Sequence, residues 1–102
     1  MISNQILQNT IDGLREITRV DLCVLDMEGQ VLASTEKQPE NCSSEVAAFI
    51  VSPADSQVVH GYQFFKVFDE NQLEYVLLAK GASDDVYMVG KIAVSQLQNL
   101  II

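Results

Sequence analysis

Residues 22–25 constrain the fold more than any other part of the chain, because four apolar residues follow one another between two aspartates. In an extended strand, alternate side chains point to opposite faces, so Leu22 and Val24 share one face and Cys23 and Leu25 share the other. A strand that is apolar on both faces must be covered on both sides. We therefore expect a sheet with helices on each face, or a sheet with one face buried against a partner.

Periodicity elsewhere in the chain predicts the other elements of such a sheet. Helices are predicted over residues 3–19 and 43–51, with Ser43 or Ser44 capping the second, and a last helix is predicted to follow its cap, Ser83. Strands are predicted over residues 21–26, 30–35, 56–60, 62–68 and 73–80. This order is typical of an α+β fold with a single antiparallel sheet of about five strands and flanking helices.

Two polar segments are predicted to join consecutive strands into hairpins. Asp26 begins the first reversal, where its carboxylate accepts backbone hydrogen bonds, and Gly29 ends it because glycine tolerates a positive φ. Residues 69–72 form the second.

Length and net charge limit the classes of function that are open to this chain. The 102 residues are enough for one domain. Fourteen acidic against six basic residues give a formal net charge of −8, which opposes binding to DNA or RNA because that affinity depends on cations. No apolar run approaches the ~20 residues of a membrane helix, and the N-terminus does not resemble a signal peptide. We expect a cytoplasmic protein with no membrane contact and with reduced thiols.

Residues with catalytic or metal-binding potential are sparse, and we expect neither an enzyme nor a metal or cofactor site. His60 is the single histidine. We interpret it as a residue at a strand end that is hydrogen-bonded to the backbone, in preference to a residue that contacts a ligand. The two cysteines form no recognisable metal-binding pattern. The five glycines are too far apart to form a phosphate-binding loop.

A small-molecule pocket is one interpretation of the aromatic residues, and core packing is the other. Five of the seven aromatic residues lie in the hairpin over residues 62–80. We predict that Tyr62, Phe64, Lys66 and Phe68 share one strand face. A pocket between this sheet and the middle helix would need a few polar groups, with a lysine for an anion. The candidate ligand-binding residues are Ser34, Thr35, His60, Tyr62, Phe64, Lys66, Tyr75 and Lys80.

The first and last helices carry narrow apolar stripes, which predict a homodimer formed by these two helices. The residues of the stripes are Leu7, Ile11 and Leu14 in the first helix and Val86, Val89, Ala93, Leu97 and Leu100 in the last. The last helix also runs into bare apolar residues at 100–102 without a capping glycine, so we expect the chain to be a fragment of a longer protein.

Several segments resemble known regulatory domains. The segment VDLCVLDMEGQVLAST (20–35) resembles the opening hairpin of bacterial PAS-like and Cache-like sensor domains. The segments HGYQFFKVF (60–68), EYVLLAKG (74–81) and YMVGKIAVSQLQNLI (87–101) are similar to the N-terminal region of Firmicute regulators of the PucR or carbohydrate-diacid-regulator type.

The resemblance implies a PAS-like, cytoplasmic sensory and dimerisation domain, spanning residues 1–102, of a bacterial transcription regulator. A small-molecule effector would act on it, and DNA would be bound only through a C-terminal helix-turn-helix domain beyond this chain. An alternative stays open: a roadblock, longin or profilin-like fold that serves as a protein-interaction or dimerisation module of roadblock or longin type with no metabolite ligand.

Overall fold

The predicted α+β class is confirmed by a computed structural model, which describes residues 2–39, 41–82 and 84–101. The helices are α1 (Asn4–Thr18), α2 (Ser43–Val51) and α3 (Val86–Leu100). The strands are β1 (Asp21–Leu25), β2 (Val31–Ser34), β3 (Ser56–Val59), β4 (Tyr62–Asp69) and β5 (Gln72–Lys80). Each predicted element is present, with its ends shifted by no more than two residues.

All five strands form one antiparallel sheet in the order β2-β1-β5-β4-β3. The two predicted hairpins, β1–β2 and β4–β5, are confirmed. The pairing of β1 with β5 places Asp21 opposite Lys80. Because α1 leads into β1 and α3 follows β5, this pair brings the end of α1 close to the start of α3.

The two faces of the sheet are covered by different helices, as the apolar strand β1 predicts. Leu22 and Val24 lie in a core with α1 and α3. Cys23 and Leu25 lie in a second core with α2. One chain therefore buries both faces, and no partner is needed to cover either of them.

The β1–β2 turn forms as its sequence predicts. Asp26 Oδ1 accepts hydrogen bonds from the backbone N–H groups of Glu28 and Gln30, each at 2.9 Å. Gly29 has a φ of 83°, and a Cβ built there would lie 2.7 Å from Cα of Ser43. Glycine is therefore needed twice, for its backbone conformation and for the close approach of the turn to the start of α2.

The β3–β4 connection is a two-residue turn at His60 and Gly61. Both residues have a positive φ, 51° and 82°. This combination is the signature of a type I′ turn, whose twist matches the twist of the two strands.

The start of α2 differs from the prediction. Cys42, rather than Ser43 or Ser44, is the N-cap residue. Asn41 explains the difference, because its side-chain oxygen accepts hydrogen bonds from both the backbone N–H and the hydroxyl of Ser43. For the last helix, the predicted cap Ser83 lies outside the described residues, and α3 begins at Val86.

The predicted alternation along β4 fails at its end. Tyr62 and Phe64 lie in the core with α2, whereas Phe65 and Val67 lie in the core with α1 and α3. The register with β5 then shifts between Val67 and Phe68. Because of this bulge, Phe68 does not continue the face of Tyr62 and Phe64, and it lines a groove beside α3 instead.

Candidate functional site

The layer between the sheet and α2, where the pocket was predicted, is filled by side chains. Phe49 of α2 packs edge-on against Phe64 of β4, with ring centroids 5.6 Å apart and planes at 89°. Both rings are fully buried, as is Val46 beside them. The core-packing interpretation therefore describes Phe64, since its ring is buried and contacts Phe49.

Lys66 lies on the same sheet face, and its ammonium group binds at the C-terminus of α2. Its Nζ donates a hydrogen bond to the backbone oxygen of Ser52 and lies 5.1 Å from the centroid of the Phe49 ring. The residue is only 9% exposed. A cation at this end of a helix satisfies a terminal carbonyl and interacts favourably with the helix dipole.

Three further candidates meet at a polar cluster around Glu36. Tyr62 Oη donates a hydrogen bond to Glu36 Oε1 at 3.1 Å. Ser34 Oγ accepts from the backbone N–H of Glu36 at 3.0 Å. Lys80 Nζ lies 5.1 Å from the centroid of the Tyr62 ring, in a cation–π contact. The structure thus brings together Ser34, Tyr62 and Lys80, and joins to them Glu36, which sequence reasoning did not select.

The remaining candidates lie elsewhere. Tyr75 faces the core with α1 and α3, and its hydroxyl accepts a hydrogen bond from the backbone N–H of Ile2 at 3.2 Å. Thr35 Oγ1 accepts from the backbone N–H of Leu22 at 2.9 Å and donates to Asp21 Oδ1 at 3.0 Å. Both hydroxyls therefore form hydrogen bonds that join separate parts of the fold.

His60 is exposed in the type I′ turn, and its Nε2 lies 3.4 Å from Glu45 Oε2. Glu45 is in the first turn of α2. Hydrogen bonds from its own backbone amide and from the Ser44 hydroxyl lower the pKa of the Glu45 carboxyl, and the nearby His60 acts in the same direction. The contact links the turn to α2 on the outside of the fold.

Two open grooves on the described part of the surface are candidate ligand sites. The first, of about 480 Å³, lies beside the β1–β2 turn and is lined by Glu28, Gly29, Gln30, Val31, Pro39, Asn41 and Ser43. The second, of about 290 Å³, runs between α3 and β4 and is lined by Asp55, Ser56, Phe65, Lys66, Phe68, Tyr87, Lys91, Val94 and Gln98. Of the eight ligand-binding candidates, Lys66 alone lines either of these grooves.

The apolar stripes of α1 and α3 face the chain's own sheet, which corrects the predicted dimer contacts. Val86 is half-buried against the same core, and Leu100 is 40% exposed. The other six residues, Leu7, Ile11, Leu14, Val89, Ala93 and Leu97, are buried. A stripe of this width fits a sheet as well as a partner helix, so periodicity did not distinguish the two.

A second set of apolar residues remains exposed on the two helices. Nine large apolar side chains are exposed within the described residues, and six of them belong to α1 or α3. The six are Ile6, Ile17, Tyr87, Met88, Ile92 and Leu100. The other three are Val51 at the end of α2 and Val31 and Val58 on the two edge strands, β2 and β3.

The acidic, histidine and cysteine side chains form no metal site within the described residues. In the described ranges, no three His, Cys, Asp or Glu side chains are arranged to hold a metal ion. Cys23 and Cys42 are both buried, and burial raises the pKa of the Cys23 thiol to about 11. A thiol with so high a pKa is a poor nucleophile at neutral pH.

Among the described residues, none of the helices combines the length and the apolar character that a membrane span requires.

Comparison of the chain with protein-family models and with curated proteins found no match.

Proposed function

We propose that this chain is a non-catalytic regulatory domain that forms a homodimer within a bacterial transcription regulator of the PucR or carbohydrate-diacid-regulator type. DNA is bound through a C-terminal helix-turn-helix domain outside this chain. The similarity of the segments over residues 60–101 supports the assignment to a regulator, and the net charge of −8 supports leaving DNA contact to another domain.

The observation that carries the homodimer is the placement of the exposed apolar side chains. They gather on α1 and α3, although both helices already bury a full stripe against the sheet. Clustered apolar side chains on the outside of a folded domain are typical of interaction surfaces.

A non-catalytic role is supported by what the polar candidates do. The Lys66 ammonium bonds the end of α2, and the Tyr62 hydroxyl bonds Glu36. Thr35 ties β2 to β1. Each group has a structural partner, whereas a catalytic site needs acid, base or nucleophilic groups that converge on one open position.

The same architecture suggests how a signal passes through the domain. Helix α3 follows β5 and packs on β4 and β5. A change in the sheet or at the groove beside α3 would therefore shift α3 relative to its counterpart in a dimer. The spacing of two attached DNA-binding domains depends on that arrangement.

A dimerisation reporter tests the homodimer in cells. The chain is fused to a monomeric helix-turn-helix domain that represses its operator only when paired. We expect repression by the fusion and none by the DNA-binding domain alone. Equal expression without repression would contradict the proposal.

The regulator context has a separate test, the gene sequence that follows the codon for Ile102. A helix-turn-helix pattern downstream is the expected result. A stop codon at that position would contradict this part of the proposal and favour an interaction module of roadblock or longin type.

Effector binding is a second candidate function, and the groove between α3 and β4 favours it. Its volume of about 290 Å³ is close to the lower limit of ligand sites. Aromatic Phe65 and Tyr87 line it, with their ring centroids 5.6 Å apart, and Lys91 supplies a cation. The effector site proposed here is on the opposite face of the sheet from the pocket expected from the sequence.

A thermal-shift screen against sugars, dicarboxylic acids, purines and amino acids tests effector binding. A ligand at a hundred times its Kd should stabilise the fold by about 2.7 kcal/mol. Lys91→Ala should abolish the shift produced by an anionic ligand in this groove, whereas Lys37→Ala serves as a control. The absence of a shift with every class would favour the interaction module without a metabolite ligand.

A further inference from the structure

We infer that the partner bound by the exposed face of α1 and α3 is a second copy of this chain. This outer helical face is defined by Ile6, Ile17, Met88, Ile92 and Leu100. The inference rests on the proposed homodimer and deepens it, because it assigns the interface to side chains other than the inner stripes predicted from the sequence.

Helical geometry places these residues on one continuous surface. Ile6 and Ile17 are eleven residues apart, which is three turns, so they lie on the same side of α1. Met88 and Ile92 are four residues apart and lie on one side of α3. On the opposite flank of α1, Gln8 hydrogen-bonds the backbone of β2, so the flank with Ile6 and Ile17 is turned towards α3.

The two helices run antiparallel, which aligns the apolar residues of one with those of the other. The pairing of Asp21 with Lys80 fixes the end of α1 beside the start of α3. Ile17 therefore lies at the same end of the layer as Met88, and Ile6 lies at the same end as Leu100. The helices also contact each other directly. The outer helical face is thus a strip along the α1–α3 junction with apolar residues at both ends.

The distribution of charge along the chain favours a second copy as the partner of the outer helical face. The thirty residues of α1 and α3 contain two acidic residues, Asp12 and Glu16, and two basic residues, Arg15 and Lys91, so their formal charge is zero. The net charge of −8 resides in the rest of the chain. Asp12 and Glu16 are the carboxylates of these two helices, so contact through this layer opposes fewer like charges than contact through the rest of the chain.

The exposed apolar residues outside α1 and α3 lie in acidic segments. Val31, Val51 and Val58 lie on β2, α2 and β3, within about six residues of Glu28, Glu45 and Asp55, respectively. Contact between two copies there would bring like charges together, which is costly.

The size of the surface is also suited to a dimer. A large apolar side chain presents roughly 150–200 Å² when fully exposed, so the five residues contribute on the order of 500 Å² per chain. A standard interface buries about 800 Å² per partner. The remainder would come from the uncharged amides beside them, which are Gln5, Asn9, Gln96 and Asn99. Apolar side chains mixed with uncharged polar groups are common in such interfaces.

Sedimentation velocity on the purified chain tests the inference with a matched pair of variants. Ile17 and Val51 are each 82% exposed, and both lie in the last turn of a helix, but on opposite sides of the sheet. The wild-type chain is expected to dimerise between about 1 and 100 µM. Ile17→Glu should weaken the dimer by at least about tenfold, and Val51→Glu should leave it unchanged.

Each result has a defined meaning. Met88→Glu should repeat the loss seen with Ile17→Glu, and circular dichroism of every variant checks that the fold is retained. A dimer that resists both substitutions but is lost in Val51→Glu or Val58→Glu would overturn this inference and leave the proposed homodimer intact. A wild-type chain that stays monomeric over the whole range would overturn the homodimer itself.

Discussion

Lys66 shows how the role of one side chain depends on its surroundings. In the sequence it is a cation in an aromatic strand, which suggested an anion ligand. In the fold its aliphatic part lies in the interior, and its ammonium group reaches Ser52 beyond the end of α2. The charge is tolerated at this depth because a carbonyl oxygen and the Phe49 ring face it.

Replacement of this lysine should therefore affect stability. Lys66→Met keeps most of the side-chain volume but removes the hydrogen bond and charge at the end of α2, at an expected cost of about 1–3 kcal/mol in the free energy of unfolding. Lys80→Met removes an exposed cation over Tyr62 and should cost less than about 1 kcal/mol. Urea denaturation measures both, and equal effects would contradict a structural role for Lys66.

Cys23 gives a pH dependence that can be measured. Burial raises the pKa of its thiol from 9.0 to about 11. The thiol ionises more readily in the unfolded chain, so the fold should lose stability as the pH rises from about 9 to 11. The loss should be at most about 2–3 kcal/mol. Urea midpoints should fall more steeply over this range for the wild type than for Cys23→Ala, and parallel curves would refute the assignment.

At the scale of single elements, helix α3 lies unusually close to the sheet at Gly90. A Cβ built there would meet the Phe65 ring at 2.2 Å. Gly13 of α1 is also inside a helix, yet a Cβ there would have no heavy atom within 4 Å beyond its chain neighbours and the adjacent backbone of its own helix. Helix propensity alone treats the two glycines as equivalent weaknesses, because it contains no information about the opposing surface.

Alanine substitutions at these two positions should therefore have opposite effects. Gly13→Ala should stabilise the dilute protein by about 0.5–1 kcal/mol, the value of helix propensity. Gly90→Ala should destabilise it by about 1–3 kcal/mol, because the Phe65 ring or α3 must move to admit the methyl group. Thermal unfolding of the two variants measures the difference. Stabilisation by both would show that α3 can move away from β4 at little cost.

At the scale of the whole molecule, charge is distributed unevenly. The helical layer formed by α1 and α3 is formally neutral, and the net charge of −8 lies in the remaining segments. A dimer joined through the neutral layer still brings together the acidic segments of both chains. Their repulsion acts over distances at which salt screening is effective.

Dimerisation is therefore expected to strengthen with ionic strength. Raising the NaCl concentration from about 0.02 to 0.5 M shortens the Debye length from about 20 Å to about 4 Å, which weakens the repulsion between two acidic copies. Sedimentation equilibrium at several salt concentrations should show a lower Kd at high salt. A higher Kd at high salt would indicate an interface made of ion pairs, contrary to the apolar face described above.

The sequence alone determined the element order, the class and the covering of the sheet on both faces. The reason is that the two-faced strand β1, the hairpin turns and the helical stripes are local patterns, and each is readable from neighbouring residues. The turn at Asp26 and Gly29 forms as predicted for the same reason.

Tertiary structure decided which side chains serve the fold and which stay exposed. Sequence periodicity locates an apolar stripe but does not say whether a sheet or a second chain covers it, so Leu7 and Leu97 were assigned to a partner although they lie in the core. A bulge at Val67 and Phe68 shifts the register of β4 with β5. Lys66 and Tyr62 found partners more than a dozen residues away in the chain, and such contacts exist only once the helices have packed on the sheet.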